Sequence, residues 1–164
     1  GYNYISYFIF QMPIISKEDF LENKVLDKPI LSIDYGEKRI GIAISDKNCS
    51  IAFPNDVLER KTVKKDFIYI KELINTNDIQ AIVIGMPYNM NGSENEKCKD
   101  VKNFTNKLLE FIEINIIYWD ERFSTKAQER ILIDNDLSRK KRKKVIDKLA
   151  ASYFLQTFLD FLKN

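Results

Sequence analysis

Two β-branched runs flank one acid and one short turn in ILSIDYGEKRIGIAISD (Ile30–Asp46), and no other stretch restricts the fold as tightly. Ile30, Leu31 and Ile33 lead into Asp34. Gly36, Glu37 and Lys38 form a turn, and Ile40–Ser45 leads into Asp46. This pattern predicts a β-hairpin. A carboxylate in an apolar strand needs compensation, because burying an unpaired charge is costly or forces protonation. A divalent cation supplies it. So does a basic neighbour, and Lys38 and Arg39 stand close in sequence.

The rest of the chain supplies alternating elements. Ser16 caps a short helix within Ile14–Leu26, and Pro29 opens the first strand. Ile51–Phe53 and Pro54–Leu58 predict a third strand interrupted by a Pro-Asn turn. Val63, Phe67, Ile70 and Ile74 share a helical face, so Thr62–Asn75 reads as an amphipathic helix capped by Thr62. Ile79–Ile84 is a continuous apolar run, the pattern of a buried parallel strand, and it ends at Gly85-Met86-Pro87. A polar loop, Tyr88–Glu96, precedes a helix with Val101, Phe104, Leu108 and Phe111 on one face. Ile114–Trp119 is a second buried strand, ending in Asp120-Glu121-Arg122. Ser124 or Thr125 caps a helix that Asn135-Asp136 breaks, and a last helix runs to about Leu162. A β-meander followed by α-β-α-β-α predicts an α/β fold with a mixed sheet covered on both faces. Sites in such sheets form at the carboxyl ends of strands, where Asp34, Gly85 and the Asp120-Glu121-Arg122 segment can converge.

A chain of 164 residues is expected to hold one domain. That domain is expected over 29–164, after an extension at 1–28 that is partly disordered or carries the short helix. Tyr2–Phe10 (YNYISYFIF) is apolar, but it is too short to span a bilayer and lacks a basic flank or small-residue cleavage site. Met12 is a candidate natural start. There is no histidine, which excludes Ser-His-Asp triads, histidine bases and histidine metal ligands. Cys49 and Cys98 are far apart and lack metal spacing, the usage of a cytoplasmic chain with reduced thiols. The net charge of +2 announces no partner; only its distribution can.

Asp34, the Asp120/Glu121 pair and Asp147 are the acids that can meet. Asp147, Ala150, Ala151 and Phe154 share the inward face of the last helix, and the two alanines let it approach the sheet. A salt bridge to Lys143 or Lys144 is the alternative role for Asp147. Neighbours on a strand point to opposite faces, so Asp120 and Glu121 do not both reach one site unless the strand has already ended. Glu121 is favoured, Asp120 is the alternative, and pairing with Arg122 is the structural role for either. Two or three carboxylates without histidine or cysteine suit Mg²⁺ or Mn²⁺, with Asp34, Glu121 and Asp147 as ligands. Two such ions about 3.5–4 Å apart activate a water and stabilise the leaving oxygen of a phosphodiester. A histidine-free chain can therefore hydrolyse phosphate esters.

Arg139–Lys144 is RKKRKK, unbroken. A charge run is usually a solvated face. This one opens the last helix, where the dipole disfavours cations by about 0.3–1 kcal/mol each, and it precedes Asp147 by less than a turn. A phosphate-rich partner accounts for that placement through counterion release. Arg139, Lys140, Lys141, Arg142, Lys143 and Lys144 are thus candidates for nucleic-acid binding, with Arg39 and Arg122 beside the acids. In the loop after the fourth strand, Asn89 and Asn91 offer amide donors to phosphates or merely turn the chain. The spacing of a P-loop is absent.

IDYGEKRIGIAISD, IVIGMPYNMNGSE, DERFSTKAQ and SRKKRKKVIDKLAASYFLQTFLD, in that order, resemble the YqgF/RuvX family of RNase H-like proteins. The resemblance covers nearly everything from Ile30 to Leu162. It implies a five-stranded mixed sheet with helices on both faces, and divalent-metal chemistry at Asp34, at Asp120 or Glu121 of the DER motif, and at Asp147. It implies an endonuclease acting on structured nucleic acid, the 5′ end of pre-16S rRNA rather than a DNA junction, in ribosome biogenesis. Pre-rRNA and the precursor of the small ribosomal subunit are then the expected partners. A Holliday junction resolvase and a non-catalytic RNA- or ribosome-binding module are the alternatives, with monomer or homodimer left open. Met86 stands where the family usually has Leu, and Tyr35 where Leu or Phe is common. The related RuvC resolvases carry an acid at the end of the fourth strand, where this chain has Gly85-Met86-Pro87. Asp34-Tyr35-Gly36 before a hairpin also opens the lobes of actin-like ATPases, but those need two such lobes and this chain holds one.

Overall fold

The computed structural model describes residues 12–122 and 139–164. Among the described residues the first element is a short helix, α1 (Lys17–Asn23), its N-terminus capped by the Ser16 hydroxyl, which accepts from the Asp19 amide. The hairpin strands β1 (Ile30–Asp34) and β2 (Arg39–Ser45) follow, then β3 (Ala52–Glu59), α2 (Val63–Asn77), β4 (Ala81–Met86), α3 (Glu96–Phe111), β5 (Asn115–Asp120) and α4 (Arg139–Lys163). The expected helix after Ser124 or Thr125, and the Tyr2–Phe10 segment, lie outside the described residues.

The five strands form one mixed sheet in the order β3-β2-β1-β4-β5. β1 pairs antiparallel with β2 and parallel with β4, and β4 pairs parallel with β5. The expected interruption at Pro54-Asn55 is a bulge and not a turn. Ile42 pairs with Asp56 and Ala43 with Pro54, so Asn55 is the extra residue within a continuous strand. Proline is tolerated there because β3 lies at the sheet edge.

Strand alternation sorts the core into two layers. Leu31, Ile33, Ile82, Ile84 and Ile116 pack with Phe67 and Ile70 of α2 and with Val101, Phe104 and Leu108 of α3. Ile30, Val83 and Ile117 pack on the other face with Phe20 of α1 and with Ala151, Phe154, Leu155 and Phe158 of α4. Ala43, Ala81 and Ala151 are fully buried in this second layer, and their small size admits α4 close to the sheet. The Ser32 hydroxyl, itself buried, donates to the Ala151 carbonyl at 2.8 Å. The Gln156 amide donates to the Ser50 carbonyl and accepts from the Ala52 amide, both at 2.9 Å. These contacts orient α4. Residue 156 lies by the β2–β3 connection and residue 151 over the middle of β1, so the start of the helix lies toward the carboxyl end of β1. No helix of the described residues is long and apolar enough to cross a membrane.

Candidate active site

The same alternation decides which acids meet. Ser32 faces α4, so Asp34, two residues on, faces α4 as well. On β5, Ile117 and Trp119 belong to the α4 layer while Ile116 and Tyr118 belong to the opposite one. Asp120 therefore falls on the α2/α3 face, and Glu121 on the face of Asp34. Between them runs β4, where Ile84 is in register with Ile33 and Gly85 with Trp119. A Cβ on Gly85 would lie 2.5 Å from Glu121 Oε2 and 2.9 Å from Phe154 Cε1. The missing side chain leaves the room that the Glu121 carboxylate occupies. Sequence reasoning placed Gly85 at the converging strand ends but gave it no role beyond lacking an acid; a lone glycine at the end of an apolar strand is a signal for close approach.

Asp34, Gly85 and Glu121 line a cleft of about 510 Å³. Its walls are the β1–β2 turn, with Lys38 and Arg39, and the first two turns of α3, with Lys97 and Asp100. Burial pushes the Glu121 carboxyl up from its usual range; Lys97 opposes that shift and Asp120 adds to it. Asp120 behaves differently. Burial pushes it up as well, but the Arg122 hydrogen bonds prevail and hold it below its ordinary value. Arg122 Nε lies 3.0 and 2.8 Å from the two Asp120 oxygens, and its Nη2 is 2.5 Å from Oδ2. Arg122 also donates to the Met90 carbonyl at 3.1 Å. Asp120 and Arg122 thus clamp the loop after β4 to the end of β5, and the pairing weighed for either acid belongs to Asp120.

That loop is closed on itself. Asn89 Nδ2 donates to Ser93 Oγ, Asn91 Oδ1 accepts from the Ser93 amide and hydroxyl, and Asn95 Nδ2 donates to Asn89 Oδ1 and the Pro87 carbonyl. Asn95 also caps α3, accepting from the Cys98 amide at 3.0 Å. Asn89 and Asn91 thus both help to close the loop, Asn91 through its side-chain oxygen. A second brace holds the β1–β2 turn. Arg60 pairs with buried Asp66 at 3.3 Å, donates to the Tyr35 hydroxyl and the Gly36 carbonyl, and lies 5.2 Å from the Tyr35 ring centroid. Nothing in the sequence announced this pair.

The remaining candidates lie on α4. Arg139 to Lys144 form its first turns, as expected, and Lys141 is exposed. Asp147 lies one turn before Ala151, toward the Asp34 end of the sheet. The side chains of Asp147 and of the other five basic residues lie outside the described positions. Among the described residues no three acidic, cysteine or histidine side chains form a ready metal cluster. The oxygen donors of Asp34 and Glu121, and the cradle left by Gly85 beneath Glu121, nonetheless fit a hard divalent cation.

A family model described as "RuvX: Holliday junction resolvase" matches residues 28–161. A protein of Syntrophomonas wolfei named "Putative pre-16S rRNA nuclease" is 46% identical over 131 residues, covering 80% of this chain and 93% of that protein. One of the same name from Ruegeria sp. is 40% identical over 147 residues, covering 90% of this chain and 94% of its own length. Among solved structures, T. thermophilus RuvC in complex with a Holliday junction substrate aligns with a TM-score of 0.53 and 12% identity, over 84% of this chain and 97% of that one. At that identity the likeness speaks for the fold.

Proposed function

The chain belongs to the RuvX family, and from that premise we propose that it is a divalent-metal-dependent endonuclease that trims the 5′ end of pre-16S rRNA. One observation carries the reading. Asp34 and Glu121 line one cleft at the carboxyl ends of the strands, with the Glu121 carboxylate seated in the room that Gly85 leaves. Asp34, Glu121 and Asp147 would hold Mg²⁺ or Mn²⁺, which when bound supplies an activated water and neutralises charge on the leaving oxygen. Asp34 and Glu121 contribute fixed negative charge and oxygen donors. Lys38 and Arg39, on the wall of the cleft, would orient the phosphate backbone by charge. Asp120 keeps Arg122 and the loop in place without entering the cleft. A substrate of this kind places the protein in the cytoplasm, beside the precursor of the small ribosomal subunit.

The test is cleavage of labelled pre-16S 5′-leader RNA and of a four-way DNA junction, with Mn²⁺, Mg²⁺ or EDTA, by the wild type and Asp34→Asn. The expected result is metal-dependent cutting of the RNA that EDTA and Asp34→Asn abolish, with unchanged thermal melting. Cutting of the junction alone would reassign the substrate. Binding without cutting of either would replace the nuclease by an RNA-binding module.

A further inference from the structure

The cleft carries cations on two walls, and only those of the β1–β2 turn have a stated role. Lys97 is the second residue of α3, exposed, and lines the same cleft as Asp34 and Glu121. Among the described residues it forms no ion pair. A cation in the first turn of a helix works against the dipole by about 0.3–1 kcal/mol. Its backbone is nevertheless firmly placed. Asn95 caps α3 and is itself bonded to the Pro87 carbonyl, directly after β4, so the turn bearing Lys97 is fixed relative to Gly85 and Glu121.

We propose that Lys97 binds a backbone phosphate of the nucleic acid where the strand crosses the acid site, on a different wall from Lys38 and Arg39. The proposal rests on the nuclease reading above and deepens it. A strand crossing between the two walls meets cations from two elements, which orients the phosphodiester over the carboxylates instead of merely attracting it. A compact ammonium on a flexible stem suits a single non-bridging phosphate oxygen.

The experiment is fluorescence anisotropy of labelled pre-16S 5′-leader RNA in EDTA, across a KCl series, for the wild type, Lys97→Gln, Lys97→Arg and Lys99→Gln. Lys99 is exposed on the same helix and outside the cleft, so it reports the loss of bulk charge. The expected result is about tenfold weaker binding for Lys97→Gln, a salt slope shallower by about 0.7, recovery with Lys97→Arg, and no comparable loss with Lys99→Gln. Unchanged affinity and slope for a folded Lys97→Gln, or an equal loss for Lys99→Gln, would overturn the proposal. Cleavage with Mn²⁺ separates the two readings. If the wild type cuts while Lys97→Gln binds normally, the nuclease stands and the Lys97 role falls. If the wild type never cuts but the selective weakening of binding appears, the Lys97 role stands and the nuclease falls.

Discussion

A methyl group on Gly85 has nowhere to go. Glu121 Oε2 could swing away from it, but Phe154 is almost fully buried and its ring edge would lie only 2.9 Å from the new carbon. Gly85→Ala is therefore expected to lower stability by about 1–3 kcal/mol through overpacking. By displacing the Glu121 carboxylate it should also slow cleavage by about 100-fold. Thermal melting and single-turnover cleavage check both; a wild-type cleavage rate would show that Glu121 does not need this space. The adjacent acids separate in the same assays. Glu121→Gln should abolish cleavage. Asp120→Asn should cut within a few-fold of wild type but lose about 1 kcal/mol as its clamp on Arg122 weakens. That the two acids point to opposite faces was legible from strand alternation, but which of them shares the face of Asp34 was not, because that depends on how β5 sits in the sheet. The space above Gly85 was not legible, because a missing side chain does not say which neighbour fills the gap.

The turn after β1, the end of β3 and the start of α2 meet at Arg60 and Asp66, and a buried carboxylate without its partner is the costlier half to leave behind. Arg60→Met is expected to destabilise the fold by about 3 kcal/mol and to slow cleavage as the cleft wall loosens; denaturant unfolding measures the first effect. The β2–β3 connection depends on a second acid. The Ile51 amide holds the Asp46 carboxyl below its ordinary value of 3.8; burial opposes this and the Ser50 amide reinforces it. A depressed folded pKa contributes stability above the unfolded value that is lost as pH falls through the folded one. The melting-temperature gap between wild type and Asp46→Asn should therefore be full at pH 7 and close below pH 3.8; a gap that stays constant through acid would refute the assignment. The order of these elements was readable from period-two and helical spacing. The bulge was not, because Pro-Asn is equally good turn chemistry and only the edge position of β3 makes a bulge the outcome. The Arg60–Asp66 pair was invisible because it joins residues six apart across a strand end and a helix start, with no periodic pattern to mark it.

The whole chain carries a net charge of only +2, yet nine of its 26 lysines and arginines fall at the cleft or in one unbroken run at the start of α4. Lys38, Arg39 and Lys97 line the cleft, and the run Arg139 to Lys144 forms the first turns of α4. Because α4 runs back along the sheet from the Asp34 end, that run begins beyond the carboxyl ends of the strands, on the side where the acids lie. Such an arrangement binds backbone and not sequence, so affinity should depend steeply on salt and little on base identity. Replacing Lys140, Lys141, Lys143 and Lys144 together by Gln tests this without touching an acid. Each phosphate of a single strand that is no longer neutralised takes about 0.7 off the logarithmic salt slope, so the fourfold variant should bind with a slope shallower by up to about 3. Its affinity should fall equally for leader RNAs of different sequence, while its melting temperature stays at or above wild type as like-charge repulsion in the first turns of α4 is relieved. An unchanged slope would mean that the run is only a solvated face and that the cations of the cleft hold the substrate alone.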